Sequence, residues 1–314
     1  MGSVRADRAP GGDASAAALA ADDTTRVSYR YLRVSVVALA LLLTTSLVLE
    51  IARSGGRTLD SISAYYYSPA RSILVGSLVA IGLALVAIKG RRGWEDVLLD
   101  LAGMVVPVVA LVPASLDLGA DVCGRAVERC VPADLVPAVQ SNVSALLVLG
   151  AAGLGFAWWA TRHDRDVATS VGLLAAVALW FGTTLWFWLG PVSFLARAHY
   201  VAAVVFFGLI AVVAFLNGRL APRRRNVPLL APRRYGQAYR AIGGLMVATI
   251  LVALVLLTGS ALGGLSLWPS TTFAVETVLM VLFVAFWIVQ TVESWDEEAD
   301  EEARALLRPP GPVR

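Results

Sequence analysis

Eight predominantly apolar stretches constrain this chain more than any other feature: residues 31–52, 70–89, 95–114, 140–161, 167–189, 197–217, 239–260 and 271–293. Each is long enough to cross the hydrocarbon core of a bilayer as one helix, which takes about 20 residues. Lipid offers no partner for backbone N–H and C=O groups, so each stretch must close its own hydrogen bonds. The expected fold is therefore all-α, a polytopic transmembrane helix bundle of about eight spans. Composition agrees, with 58% hydrophobic and 16% charged residues and a mean hydropathy of +0.71. A soluble domain is roughly a quarter charged.

The arginines set the expected orientation, since Lys and Arg collect on the cytoplasmic side. With the N-terminus inside, twenty of the 26 basic residues fall in cytoplasmic segments and six (Arg53, Arg57, Arg71, Arg125, Arg129 and Arg197) outside. The chain reads as N-in and C-in. Residues 1–30 lack the apolar core of a signal peptide and read as a disordered cytoplasmic tail. Residues 31–293 form the bundle, and 294–314 an acidic, then Pro-rich cytoplasmic tail. Lys89 is the only lysine, a skew that suits a GC-rich bacterial genome and hence the bacterial cytoplasmic membrane. A net charge of +3, with no basic soluble domain, argues against nucleic acid as a partner.

Two loops carry their own expectations. Cys123 and Cys130 share the 115–139 loop, outside in this topology, where an oxidising compartment permits a disulfide between them; two unlinked thiols are the alternative. The Arg223–Arg234 loop, "RRRNVPLLAPRR", can hold anionic headgroups of membrane lipids or simply anchor the inner surface. The seven acids between Glu293 and Glu302 read as a helical extension of the last span that can dock on this loop.

Ionisable groups inside spans are costly and mark functional candidates. Glu50, Arg71, His199 and Glu276 lie at similar depth near the outer ends of four spans. Beside them stands "SISAYYYSPAR", with Tyr65, Tyr66 and Tyr67 in a row. Ser68 is a suitable N-cap and Pro69 a suitable first residue for the next helix. Three consecutive tyrosines cannot all face one interface, so at least one should turn into the bundle. Together these seven residues can form an outer polar mouth for a phosphate or carboxylate headgroup. Alternatively Arg71 snorkels to lipid phosphates while the tyrosines anchor the interface. Asp100, alone near the inner end of the third span, can serve a proton or cation path or pair with Lys89, Arg91 or Arg162.

Catalytic motifs are sparse. His163 and His199 fall on opposite sides of the membrane, so they cannot share a metal, and no phosphate loop or Gly-x-Ser-x-Gly is present. No metal or cofactor is expected. A Ser–His pair would need Ser72 or Ser77 beside His199. Ser72, Gly76 and Ala80 also recur as a small-residue face suited to close helix contact.

At "SISAYYYSPARSILVGSLVAIGLALV" (61–86), "LAGMVVPVVALVP" (101–113) and, more loosely, "HYVAAVVFF" (199–207), the chain resembles a group of uncharacterised bacterial multi-spanning membrane proteins. The layout of short loops is distantly similar to the superfamily of alkaline ceramidases and adiponectin-type receptors. The histidine-rich metal site of those hydrolases is absent here, so this resemblance implies a fold and not a zinc amidase. Three functions stay open: binding or moving a lipid or amphiphile at the outer mouth, hydrolysis using His199 and the outer carboxylates, and proton- or cation-coupled transport using Asp100.

Overall fold

A computed structural model of the chain describes residues 11–88, 93–117, 129–163, 165–221, 232–261 and 270–307. Among these residues there are eight α-helices: α1 (Gly11–Arg53), α2 (Arg71–Ala87), α3 (Trp94–Leu111), α4 (Val136–Thr161), α5 (Val167–Leu189), α6 (Pro191–Leu220), α7 (Pro232–Ala261) and α8 (Thr271–Leu307). A 3-10 turn (Ser63–Tyr67) precedes α2, and two short strands, β1 (Leu116–Asp117) and β2 (Arg129–Cys130), pair antiparallel after α3.

Six helices contain segments long and apolar enough to cross a membrane: Val27–Arg53, Val136–Thr161, Val167–Leu189, Pro191–Leu220, Arg233–Gly259 and Thr271–Trp295. The chain is a multi-pass membrane protein on that ground. The other two of the eight expected spans are different in kind. Helix α2 is apolar but only 17 residues long, about 26 Å at 1.5 Å per residue. Helix α3 carries Glu95, Asp96 and Asp100 in its first two turns. Each packs between neighbouring helices, with Leu83 and Val86 of α2 and Trp94 of α3 left exposed.

Six helices close a ring in which each packs on the next, in the order α1, α2, α3, α6, α7, α8 and back to α1. Helix α6 also touches α8 across the ring. One core fills the interior, with Val36 from α1, Leu85 from α2, Val106 from α3, Ile210 from α6, Met246 from α7 and Phe286 from α8. The α4–α5 hairpin lies outside the ring against α3 and α6. Burial separates the two classes: 44% of the α6 span is buried, against 11% for α4 and for α5. Val148, Phe156, Leu174 and Trp188 are accordingly exposed, as lipid-facing residues are.

The closest approach is between α2 and α3. A Cβ placed on Gly82 would sit 2.9 Å from the Gly103 carbonyl oxygen, and one on Gly103 would sit 2.7 Å from the Gly82 oxygen. The two backbones therefore touch where neither has a side chain. The small-residue face expected at Ser72, Gly76 and Ala80 is not the one used: Gly76 has open space where its Cβ would be, and Ser72 is exposed.

Boundaries shift for local reasons. Helix α2 begins at Arg71 rather than Pro69, because the Ser63–Tyr67 turn runs up to Ser68; the Ser68 hydroxyl still accepts the Ala70 N–H at 3.1 Å. Helix α6 starts at Pro191, six residues before the apolar run at 197, with proline at a position that needs no N–H donor. Helix α1 extends back to Gly11 through alanine-rich residues of high helix propensity, where the sequence reading has a disordered tail. Residues 222–231, most of the basic loop, and Cys123 lie outside the described residues, so the expected headgroup site and disulfide lie there too.

Candidate functional site

The ring has two polar ends. The first is built on the 3-10 turn, which is held to the start of α8. The Phe273 N–H donates to the Asp60 carbonyl at 2.9 Å. The backbone N–H of Ser63 donates to Glu276 Oε2 at 3.0 Å, and the Ser63 hydroxyl lies 2.9 Å from Oε1. On the other side, Ser63 Oγ lies 2.8 Å from Nε2 of His199. The opposite ring nitrogen, Nδ1, lies 2.8 Å from the Val112 carbonyl oxygen at the end of α3. His199 is 4% exposed, while Ser63 is only half-buried at the rim.

Hydrogen-bond stoichiometry constrains this chain of four groups. A carbonyl can only accept, so Nδ1 carries a proton. The Nε2···Oγ and Oγ···Oε1 contacts then need two protons, and the hydroxyl supplies one. The second sits either on Nε2, making an imidazolium, or on Oε1, making a carboxylic acid. With the imidazolium, the Ser63 hydroxyl donates to the Glu276 carboxylate. With the carboxylic acid, it donates to a free imidazole nitrogen. In both arrangements the serine hydroxyl faces a base.

The three tyrosines all turn into the protein. Tyr65 and Tyr66 are buried and Tyr67 half-buried. The Tyr65 hydroxyl accepts the Leu59 N–H at 3.3 Å, and Tyr67 donates to the Ala114 carbonyl at 2.8 Å. Arg71 donates through Nη2 to the Tyr66 hydroxyl at 2.7 Å, with its guanidinium carbon 4.1 Å from the ring centroid. It meets neither Glu50 nor Glu276 in an ion pair. Glu50 is half-buried and joins none of these bonds.

Of the seven residues expected at an outer mouth, His199 and Glu276 are thus brought together through Ser63. Tyr65, Tyr66, Tyr67 and Arg71 surround the same turn, and Glu50 stands apart. The serine that pairs with His199 is Ser63, not Ser72 or Ser77. Ser72 and Ser77 lie on a span, whereas the serine that reaches the ring is on a turn at the rim. Ser63 is in the same "SISAYYYSPAR" stretch, and no spacing rule marks it.

The second polar end lies at the opposite side of the ring. Glu95 Oε1 accepts from Asn217 Nδ2 at 3.0 Å and from Gln290 Nε2 at 2.9 Å, joining α3, α6 and α8. Tyr239 donates to Glu293 at 2.7 Å. Glu95, Asn217, Gln290 and Glu293 are all buried. Asp100, the residue expected to matter at this end, follows Glu95 on α3 and is half-buried. Along α8, Glu276 and Gln290 are about 21 Å apart at 1.5 Å per residue. Phe206, Ile210, Phe283 and Phe286 fill the interval as part of the central core.

Among the described residues no group of three or more His, Cys, Asp or Glu could hold a metal ion. Comparison with known proteins finds no family model, no curated protein and no solved structure that matches this chain.

Proposed function

We propose that this multi-pass membrane protein is a hydrolase that cleaves an acyl ester or amide of an amphiphile at the membrane boundary, with Ser63 as nucleophile. The observation that carries this reading is the Ser63 hydroxyl lying 2.8 Å from His199 Nε2 while Nδ1 is held at 2.8 Å by the Val112 carbonyl. A nucleophile in hydrogen-bond reach of a base, with that base oriented by a third group, is the general signature of an activated serine. Glu276 is the alternative base on the same hydroxyl, in the arrangement where His199 carries both ring protons.

The chemistry balances with these groups. Ser63 Oγ attacks the carbonyl carbon and its proton passes to His199 Nε2 or Glu276 Oε1. That base returns the proton to the leaving oxygen or nitrogen as the acyl bond breaks. Water then attacks the acyl-serine, loses a proton to the same base, and Oγ regains it on release of the acid. The positive-inside count supports an outer location for this end, and lipid-facing helices on either side favour a substrate drawn from the membrane. Phe206, Ile210, Phe283 and Phe286 between the polar ends favour chemistry over transport.

The test is hydrolysis of a chain-length series of acyl esters and outer-leaflet lipids by the purified protein in proteoliposomes. Turnover should be lost in Ser63→Ala and fall by about 10²–10⁴-fold in His199→Ala. Turnover that survives Ser63→Ala refutes the assignment. A second reading, retention of an anionic lipid without chemistry, is favoured by Arg71 stacked on Tyr66 at the positive end of α2. It expects Arg71→Ala to lose co-purified anionic lipid, with no hydrolysis by the parent protein.

A further inference from the structure

We infer that Tyr67 and Tyr200 are positioning residues for His199, acting through the segment Val112–Ser115 that follows α3. This rests on the reading of His199 as the base for Ser63.

The segment has an unusual hydrogen-bonding problem. Val112 is extended (φ −99°, ψ 108°), as the residue before a proline must be, and Pro113 has no N–H to give. Val112, Pro113, Ala114 and Ser115 are all buried, so their carbonyls need partners within the protein. Among the described residues side chains supply most of these partners. His199 Nδ1 donates to Val112, Tyr67 to Ala114 at 2.8 Å, and Tyr200 to Ser115 at 3.3 Å. Arg129 also donates to the Ser115 carbonyl at 3.1 Å, and the Ser115 hydroxyl donates to Ala196 on α6 at 3.2 Å. Three of the four carbonyls, those of Val112, Ala114 and Ser115, are thus tied to α6, to the 3-10 turn and to β2.

The consequence falls on the imidazole. The Val112 carbonyl dictates that Nδ1 carries the proton, which leaves Nε2 as the nitrogen that can accept from Ser63. If that carbonyl drifts away, the other tautomer becomes accessible, and Nε2–H then faces the serine in place of a lone pair. Tyr67 holds the segment from the turn that carries Ser63. Tyr200 holds it from the residue next to His199, with the two rings edge to face at 5.5 Å. The hydroxyls therefore fix both partners of the reacting pair to one backbone segment. Burial pushes the Tyr67 pKa above the usual tyrosine range, so this hydroxyl stays a donor.

The test is nitrogen NMR on protein labelled with ¹⁵N only at its two histidines, in detergent micelles, for the parent, Tyr67→Phe, Tyr200→Phe and the double variant. His163, at the far end and bonded to Arg162, is the internal reference and should not move. In the parent, the ring shifts of His199 should report a proton held on Nδ1. In the double variant they should move toward a mixture of tautomers, and Tyr67→Phe alone should move part of the way. Tyr67→Phe also keeps the test open if the double variant does not fold. Ring shifts of His199 unchanged in folded Tyr67→Phe and Tyr200→Phe proteins would overturn the inference, as would a parent histidine without its proton on Nδ1. A tautomer shift in a protein that shows no acyl chemistry supports the positioning role while removing the hydrolase reading, so the two can fail separately.

Discussion

Ser63 Oγ stands 2.8 Å from Nε2 of His199, although 136 residues separate the two in the chain. One belongs to a 3-10 turn at the rim and the other to the third turn of a central helix. They meet because α8 holds the turn from below, through the Glu276 carboxyl group, while the end of α3 holds the ring from behind.

At the opposite end, Glu95 should be a structural keystone. Its Oε1 atom accepts from Asn217 and Gln290, both buried. Glu95→Ala leaves two amide N–H groups without their acceptor, and a buried unsatisfied group costs about 1–3 kcal/mol. Thermal unfolding in detergent, followed by tryptophan fluorescence, should show a clear drop in midpoint for Glu95→Ala and a smaller one for Glu95→Gln, which keeps an accepting oxygen. Equal midpoints for parent and alanine variant would remove this role.

The Gly82–Gly103 crossing should tolerate nothing larger than hydrogen. Each Cβ would press on the other helix's carbonyl oxygen, which cannot rotate away as a side chain can. Overpacking of this kind typically costs about 1–3 kcal/mol. Gly103→Ala should lower the unfolding midpoint, whereas Gly76→Ala, on the same helix as Gly82 but facing open space, should leave it nearly unchanged. The reverse ranking would show that α2 and α3 meet along a different face.

Tyr67 should make stability sensitive to alkali. Burial raises its pKa, so the fold favours the neutral hydroxyl that donates to Ala114. A raised folded-state pKa gives a contribution fully present below the unfolded value, about 10 for tyrosine, and lost as pH climbs toward the folded one. The parent should therefore lose stability above about pH 10 more steeply than Tyr67→Phe, with parallel behaviour near neutrality. Superimposable alkaline slopes would mean that Tyr67 titrates as an ordinary tyrosine.

The helices were legible because hydropathy over 20 residues is a direct record of contact with lipid. The sequence also marked His199 and Glu276, since charged or titratable groups inside spans are rare enough to stand out. Ser63 left no such mark: a serine in a loop is ordinary, and its partners lie on helices distant in sequence. Glu95 was read past for a related reason. An acid at the first turn of a helix resembles a cap facing water, and only the closing of the ring buries it against α6 and α8. The tyrosines were half legible. Their spacing required at least one to face inward, but the 3-10 turn tucks all three under the rim, where Arg71 stacks on Tyr66 instead of seeking an acid.

The most direct measurement is covalent labelling of the native membrane protein with a lipophilic fluorophosphonate, followed by peptide mass spectrometry. A serine activated by His199 should form a single adduct at Ser63. The adduct should be absent in Ser63→Ala and greatly reduced in His199→Ala, with both variants retaining the parent's unfolding cooperativity. Folded parent protein that carries no adduct at Ser63, or the same adduct yield with and without the His199 imidazole, would contradict the account.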